Sequence, residues 1–62
     1  MKLANDMRLN KPYYYNHWSG DMTNIVTKTH NKIKIETLYK YGRPINKTFT
    51  YESFDKYAKR IG

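Results

Sequence analysis

Residues 33–41 alternate between two kinds of side chain, and this alternation restricts the fold more than any other feature of the sequence. One set of positions is mainly β-branched or aromatic: Ile33, Ile35, Thr37, Tyr39 and Tyr41. The other set is mainly charged: Lys34, Glu36, Leu38 and Lys40. Because successive side chains of a strand point to opposite faces, the pattern predicts a β-strand with one face packed on a core.

Weaker alternation on either side predicts two further strands, over residues 22–30 and 45–51. We expect the first hairpin to close with a two-residue turn at 31–32, which places Lys28 opposite Ile35. A shift by one residue would instead set two lysines against each other, and like charges directly opposite are destabilising.

For the second hairpin we expect a three-residue loop over 42–44, which pairs Tyr41 with Ile45. This loop length keeps Phe49 on the apolar face, because a one-residue slip moves every side chain of a strand to the other face. The predicted core face of the sheet consists of Met22, Val26, Ile33, Ile35, Tyr41, Ile45, Phe49 and Tyr51.

The last segment, residues 52–61, has the pattern of an amphipathic helix. Its apolar residues recur at helical spacing: Phe54, Tyr57, Ala58 and Ile61. Acidic residues come early and basic residues late, which complements the helix dipole. The sequence therefore predicts an α+β fold, a three-stranded antiparallel β-meander (about 22–30, 33–41, 45–51) packed against one C-terminal helix (about 52–61).

The part of the chain before the first predicted strand lacks a comparable pattern. We expect residues 1–11 to form a flexible N-terminal arm and residues 12–62 to form one small β-β-β-α domain. The predicted open face of the sheet carries an apolar pair, Ile25 and Leu38. Two covers for this pair stay open: the segment Tyr13–Trp18 folding back over it, or a partner molecule.

Composition argues against several function classes. The chain has no cysteine, so a disulfide framework, a thiolate metal site and a cysteine nucleophile are excluded. No apolar run approaches the roughly twenty residues that span a bilayer, so we expect no membrane partner and a cytoplasmic location. His17 and His30 are too few and too separated to argue for a metal site. We expect no cofactor, no small-molecule substrate and no enzymatic activity.

Charge is the strongest functional signal. The 62 residues carry 12 Lys and Arg against five Asp and Glu, a net charge of +7. Such a balance favours a polyanionic partner, because contacts with phosphates supply most of the sequence-independent affinity for nucleic acid. The predicted nucleic-acid contacts surround the two hairpin turns: Lys28, Lys32, Lys34, Lys40, Arg43 and Lys47. The predicted aromatic contacts, which could stack on unpaired bases, are Tyr13, Tyr14, Tyr15 and Trp18.

Over residues 22–62, the predicted element order resembles that of the amino-terminal arm-binding domains of tyrosine recombinases, which lay a sheet face in the DNA major groove. The resemblance covers element order and basic strands, without a diagnostic motif. Because shared architecture does not imply shared function, we assign no family on this basis.

The alternative hypothesis is a small phage-type inhibitor that binds and blocks a host enzyme or defence complex through a tyrosine-rich surface. The composition, rich in Lys, Asn, Ile and Tyr, fits an AT-rich genome such as many phages have. Tyrosine and tryptophan are also frequent anchors of protein interfaces. In this hypothesis the partner presents an acidic protein surface to the basic chain.

Overall fold

A computed structural model describes residues 1–61 of the chain. A short 3-10 turn precedes four strands and one helix: η1 Ala4–Asp6, β1 Pro12–Asn16, β2 Met22–Lys28, β3 Ile33–Tyr39, β4 Ile45–Phe49 and α1 Tyr51–Ile61. The strands form one antiparallel sheet in the order β1-β2-β3-β4. The predicted α+β fold with a C-terminal helix is confirmed.

The predicted number of strands is wrong, because the tyrosine run forms a fourth strand, β1. Tyr13 pairs with Val26 and Tyr15 pairs with Asn24. Pro12 is the first residue of this edge strand, a position where the missing N–H of proline is tolerated. The run Tyr13–Tyr15 shows no alternation of polarity, so its strand character depends on the neighbouring β2 and not on its own pattern.

The register of the first hairpin differs from the prediction by two residues. Lys28 pairs with Ile33, and the backbone N–H of Thr29 donates to the carbonyl of Lys32 at 2.8 Å, so the turn lies at 30–31. An even shift preserves the faces of the strand. It also sets Val26 directly opposite Ile35, which joins two buried residues on the core face.

The second hairpin has a longer loop than the prediction, spanning residues 40–44. Ile45 pairs with Thr37, and Phe49 pairs with Ile33. The backbone N–H of Lys40 donates to the carbonyl of Asp21 at 2.9 Å, which ties this loop to the loop after β1. Tyr41 lies in this loop and is 88% exposed, so the prediction that it lies in the core is wrong.

The core lies between one face of the sheet, called here the covered face, and the layer formed by α1 and the N-terminal segment 1–9. Its buried members come from all three parts: Ala4, Met7, Val26, Ile33, Ile35, Phe54 and Ala58. Phe49 joins the sheet to α1, since its ring stacks on Tyr57 at 5.5 Å and meets Phe54 edge-on at 6.5 Å. Four of the predicted apolar positions lie outside this core: Met22, which is half-buried, and the exposed Tyr41, Ile45 and Ile61.

The N-terminal segment makes more contacts than the sequence predicts. The backbone N–H of Ala4 donates to Asp55 Oδ1 at 2.8 Å, and that of Asn10 donates to the Lys28 carbonyl at 2.8 Å. Ala4 and Met7 are buried, so this part of the chain packs against the sheet and α1. The pattern missed this because only Leu3 and Met7 are large apolar residues at helical spacing, whereas the packing also uses a small alanine and backbone groups. The mobility of the segment stays a prediction.

Within residues 1–61, α1 is too short and too polar to cross a membrane, and no other helix there is a better candidate.

Candidate nucleic-acid interface

The sheet has two ends that matter for binding. The turn end carries the β2–β3 turn, residues 29–32. The loop end carries loops 17–21 and 40–44, which follow β1 and β3. The antiparallel order puts these two loops side by side, and the hydrogen bond from Lys40 to Asp21 joins them.

At the turn end, the side chain of Lys28 is engaged in contacts within the fold. Its position on β2 is two residues from Val26, so its side chain lies on the covered face. Lys28 Nζ donates to the carbonyls of Ala4 at 2.9 Å and Met7 at 3.4 Å, and it lies 5.2 Å from the centroid of the Tyr51 ring. This ammonium therefore anchors the N-terminal segment to the sheet.

The other predicted basic contacts are exposed but do not share one surface. Lys32 lies in the turn, and Lys34 lies on the open face of the sheet. Lys47 lies opposite Ile35, on the same face of the sheet as the helix, yet its side chain is exposed. Lys40 and Arg43 lie together in loop 40–44, at the loop end.

The open face of the sheet is electrically balanced. Its strand positions contain one cation, Lys34, and one anion, Glu36, two residues apart on β3. These two side chains border a shallow depression of about 320 Å³, with Ile25 and Asn46 among its other lining residues. Such a face offers little net attraction for a phosphate backbone.

The predicted aromatic contacts divide between the two faces of β1. Tyr13 and Tyr15 pack against the core, and their hydroxyl oxygens accept hydrogen bonds from the backbone N–H groups of Arg8 at 3.0 Å and Lys2 at 3.1 Å. Tyr14 lies on the open face beside Ile25 and is 64% exposed. The tyrosine run therefore extends the sheet and does not fold back over it.

The loop end holds the two most exposed large hydrophobic side chains of residues 1–61. Trp18 is 92% exposed and Tyr41 is 88% exposed. Lys40 Nζ lies 5.4 Å from the centroid of the Tyr41 ring, and the His17 ring lies 5.4 Å from Trp18. We call the group Trp18, Lys40, Tyr41 and Arg43 the aromatic tip. Tyr41 is not among the contacts predicted from the sequence, although it directly precedes the Gly42-Arg43-Pro44 run, whose glycine and proline are typical of a loop.

Loop 17–21 is held by hydrogen bonds among its own side chains. Ser19 Oγ lies 2.7 Å from His17 Nδ1 and donates to Asp21 Oδ2 at 3.1 Å. Gly20 has φ +79°, a left-handed conformation that favours glycine. His17, Ser19 and Asp21 are the residue types of a hydrolytic triad, in which the carboxylate orients the imidazole. Here the Asp21 carboxylate contacts the Ser19 hydroxyl instead. This network orders the loop that presents Trp18.

Among residues 1–61, no group of three or more His, Cys, Asp or Glu side chains is arranged to hold a metal ion. A scan against protein-family models finds no match to this chain, and searches of curated proteins and of solved structures find no similar protein.

Proposed function

We propose that this chain is a small non-enzymatic module that binds nucleic acid through the basic ends of its hairpins, with support from exposed aromatic side chains. The observation that carries the proposal is the aromatic tip. Trp18 and Tyr41 are almost fully exposed, on two loops joined by a hydrogen bond, beside Lys40 and Arg43. Cations that can contact phosphate, next to rings that can contact bases, are the usual components of a nucleic-acid site.

The net charge of +7 supports the same partner. Of the predicted basic contacts, Lys32, Lys34, Lys40, Arg43 and Lys47 are exposed. Each neutralised phosphate adds about −0.9 to the log–log slope of affinity against salt on duplex DNA and about −0.7 on single strands. The two cations of the aromatic tip alone therefore give a slope of about −1.4 on a single strand, and all five exposed cations would give about −3.5. Fluorescence anisotropy with a labelled oligonucleotide over a salt series measures this slope. Absence of binding at low salt would contradict the proposal.

Charge reversal locates the site. We expect the double variant Lys40→Glu/Arg43→Glu to weaken binding strongly. If the turn end also contacts the nucleic acid, the double variant Lys32→Glu/Lys34→Glu weakens binding strongly as well. The matched control is Lys2→Glu with Arg8→Glu, which changes the net charge by the same amount with the same residue types. Equal losses in the loop-end variant and the control would mean that only net charge matters, and the loop-end site would be wrong.

A second function has one specific observation in its favour. Tyr14, Ile25 and Leu38 form a partly exposed apolar patch on the balanced open face, with Leu38 at 37% exposure. Such a surface suits a protein partner better than a phosphate backbone, as in the inhibitor hypothesis. Loss of biological activity in Tyr14→Ala, with oligonucleotide binding unchanged, would favour this function over the first.

A further inference from the structure

The aromatic tip differs from ordinary surface aromatics in that its two rings are exposed together. Single exposed apolar side chains are normal on protein surfaces. Here Trp18 and Tyr41 belong to different loops, yet the antiparallel sheet brings both loops to one end and the Lys40–Asp21 hydrogen bond holds them adjacent.

The loop that carries Trp18 is ordered by the His17–Ser19–Asp21 hydrogen bonds and not by packing of the indole. The ring is therefore presented on an organised support while remaining 92% exposed. On the other loop, Lys40 Nζ lies near the face of the Tyr41 ring at 5.4 Å from its centroid. An organised support lowers the entropy lost when a ligand immobilises these side chains.

Resting on the proposed function, we infer that the aromatic tip is a stacking site for unpaired bases, so that the ligand is single-stranded nucleic acid and not duplex. Trp18 and Tyr41 supply the stacking surfaces, and Lys40 and Arg43 contact the phosphates of the same strand. A base in a duplex is already stacked between its neighbours, and exposing it costs free energy. A single strand presents its bases to the rings without that cost.

The charge distribution points in the same direction. A sheet laid in a duplex groove needs a cationic face along two phosphate backbones, but the open face pairs Lys34 with Glu36. The tip instead combines two cations with two exposed rings at one end of the sheet. That combination matches one flexible strand with accessible bases.

The test compares a single-stranded DNA, its duplex and an RNA strand of equivalent sequence, all at one salt concentration. Trp18 is the only tryptophan, so quenching of intrinsic fluorescence reports contact at the tip directly. We expect the single strand to bind more than tenfold tighter than the duplex and to quench Trp18. If one of the two single strands, DNA or RNA, binds more tightly than the other, it identifies the preferred sugar. Either preference supports stacking.

The variants are Trp18→Ala and Tyr41→Ala, with Ile61→Ala as the control for an exposed large apolar side chain on the helix, away from the tip and from the predicted contacts. Base stacking on one aromatic side chain contributes about 5- to 150-fold in affinity, so we expect losses of that order from the two tip variants and little from the control. Circular dichroism confirms that each variant is folded.

The possible failures are distinguishable. Equal affinity for duplex and single strand, or full affinity in Trp18→Ala and Tyr41→Ala, would overturn the stacking inference while leaving nucleic-acid binding intact. Absence of binding to any strand, with Tyr14→Ala alone abolishing biological activity, would overturn the inference together with the proposed function and leave a protein partner.

Discussion

The two ends of the sheet use the same pair of residue types for opposite purposes. At the turn end, Lys28 lies over the ring of Tyr51 at 5.2 Å and donates to two carbonyls of the N-terminal segment. At the loop end, Lys40 lies over Tyr41 at 5.4 Å with both side chains exposed. The contacts are nearly alike in distance, and what differs is whether another part of the chain covers them.

The difference shows that residue type alone does not reveal the role of a lysine or a tyrosine in a small basic protein. A cation over a ring stabilises the fold when neighbouring carbonyls complete its hydrogen bonds, as at Lys28. The same pair is available to a ligand when only solvent surrounds it. Mutations that separate these two cases follow, in order of decreasing effect on stability.

The largest effect is expected from Phe54→Ala, which removes a fully buried ring between α1 and the sheet. Truncating a core phenylalanine typically costs about 3–5 kcal/mol. A domain of this size has a total stability of only about 3–9 kcal/mol at the usual contribution per residue, so the variant is expected to be largely unfolded. Urea denaturation measures the loss, with Ile61→Ala as the exposed helix control. Equal small losses would contradict the placement of the core.

Next is Lys28→Met, which keeps an apolar stem and removes the ammonium. The carbonyls of Ala4 and Met7 then lose their part-buried hydrogen bonds to the ammonium, while the Ala4 carbonyl keeps the N–H of Met7 at 3.2 Å. A hydrogen bond to a charged group contributes about 1.5–3 kcal/mol, and we expect a loss of that order. The matched control is Lys34→Met on the open face, for which we expect a loss below about 0.5 kcal/mol. If both variants have the same free energy of unfolding, the structural role of Lys28 is wrong.

Asp55→Ala tests the attachment of the N-terminal segment to the helix. Asp55 Oδ1 accepts the N–H of Ala4, and loss of such a hydrogen bond costs about 1 kcal/mol. Glu52→Ala is the control, because it also removes an acidic residue of α1, one that lies in the first turn and pairs with Lys56 at 3.6 Å.

Hydrogen exchange gives the second measurement on the same segment. In the unaltered chain we expect slow exchange at the amides of Ala4 and Asn10, whose donors are engaged, and faster exchange at Ala4 in Asp55→Ala. Uniformly fast exchange over residues 1–11 would instead support the flexible arm that the sequence predicts.

The smallest effects on stability are expected at the aromatic tip. Trp18→Ala and Tyr41→Ala remove side chains that are 92% and 88% exposed, so the free energy of unfolding should change by less than about 0.5 kcal/mol. Thermal melts check this expectation. A large loss in either variant would mean that the tip is part of the folded core and not a surface available to a ligand.

Much of the covered face was predictable because it depends on local periodicity. Alternation in 33–41 places Ile33 and Ile35 in the core, and helical spacing does the same for Phe54 and Ala58. The predicted faces of these strands hold although the predicted registers are wrong, because the observed register differs by two residues in the first hairpin and by four in the second. Even shifts leave each side chain on its own face.

The candidate site was less predictable. Arg43 lies in a predicted loop, Trp18 lies beside turn residues, and Lys40 lies near the end of the predicted strand 33–41. Tyr41 was not predicted as a contact, because its place in the alternating pattern predicts a core residue. β4 pairs with β3 four residues away from the predicted register, so the loop is longer and includes Tyr41. That register depends on contacts between two strands, so no local pattern encodes it.

The sequence by itself determined the secondary structure from Met22 onward in outline, the polarity of each face and the high positive charge. Only the tertiary structure decided that the tyrosine run is a strand, that Lys28 is internal and that Trp18 and Tyr41 lie at the same end. The physical reason is that periodicity reports how one segment divides its side chains between core and solvent. Periodicity does not report which segments come into contact, or which cations and rings they then cover. Both depend on contacts that form only when the whole chain is folded.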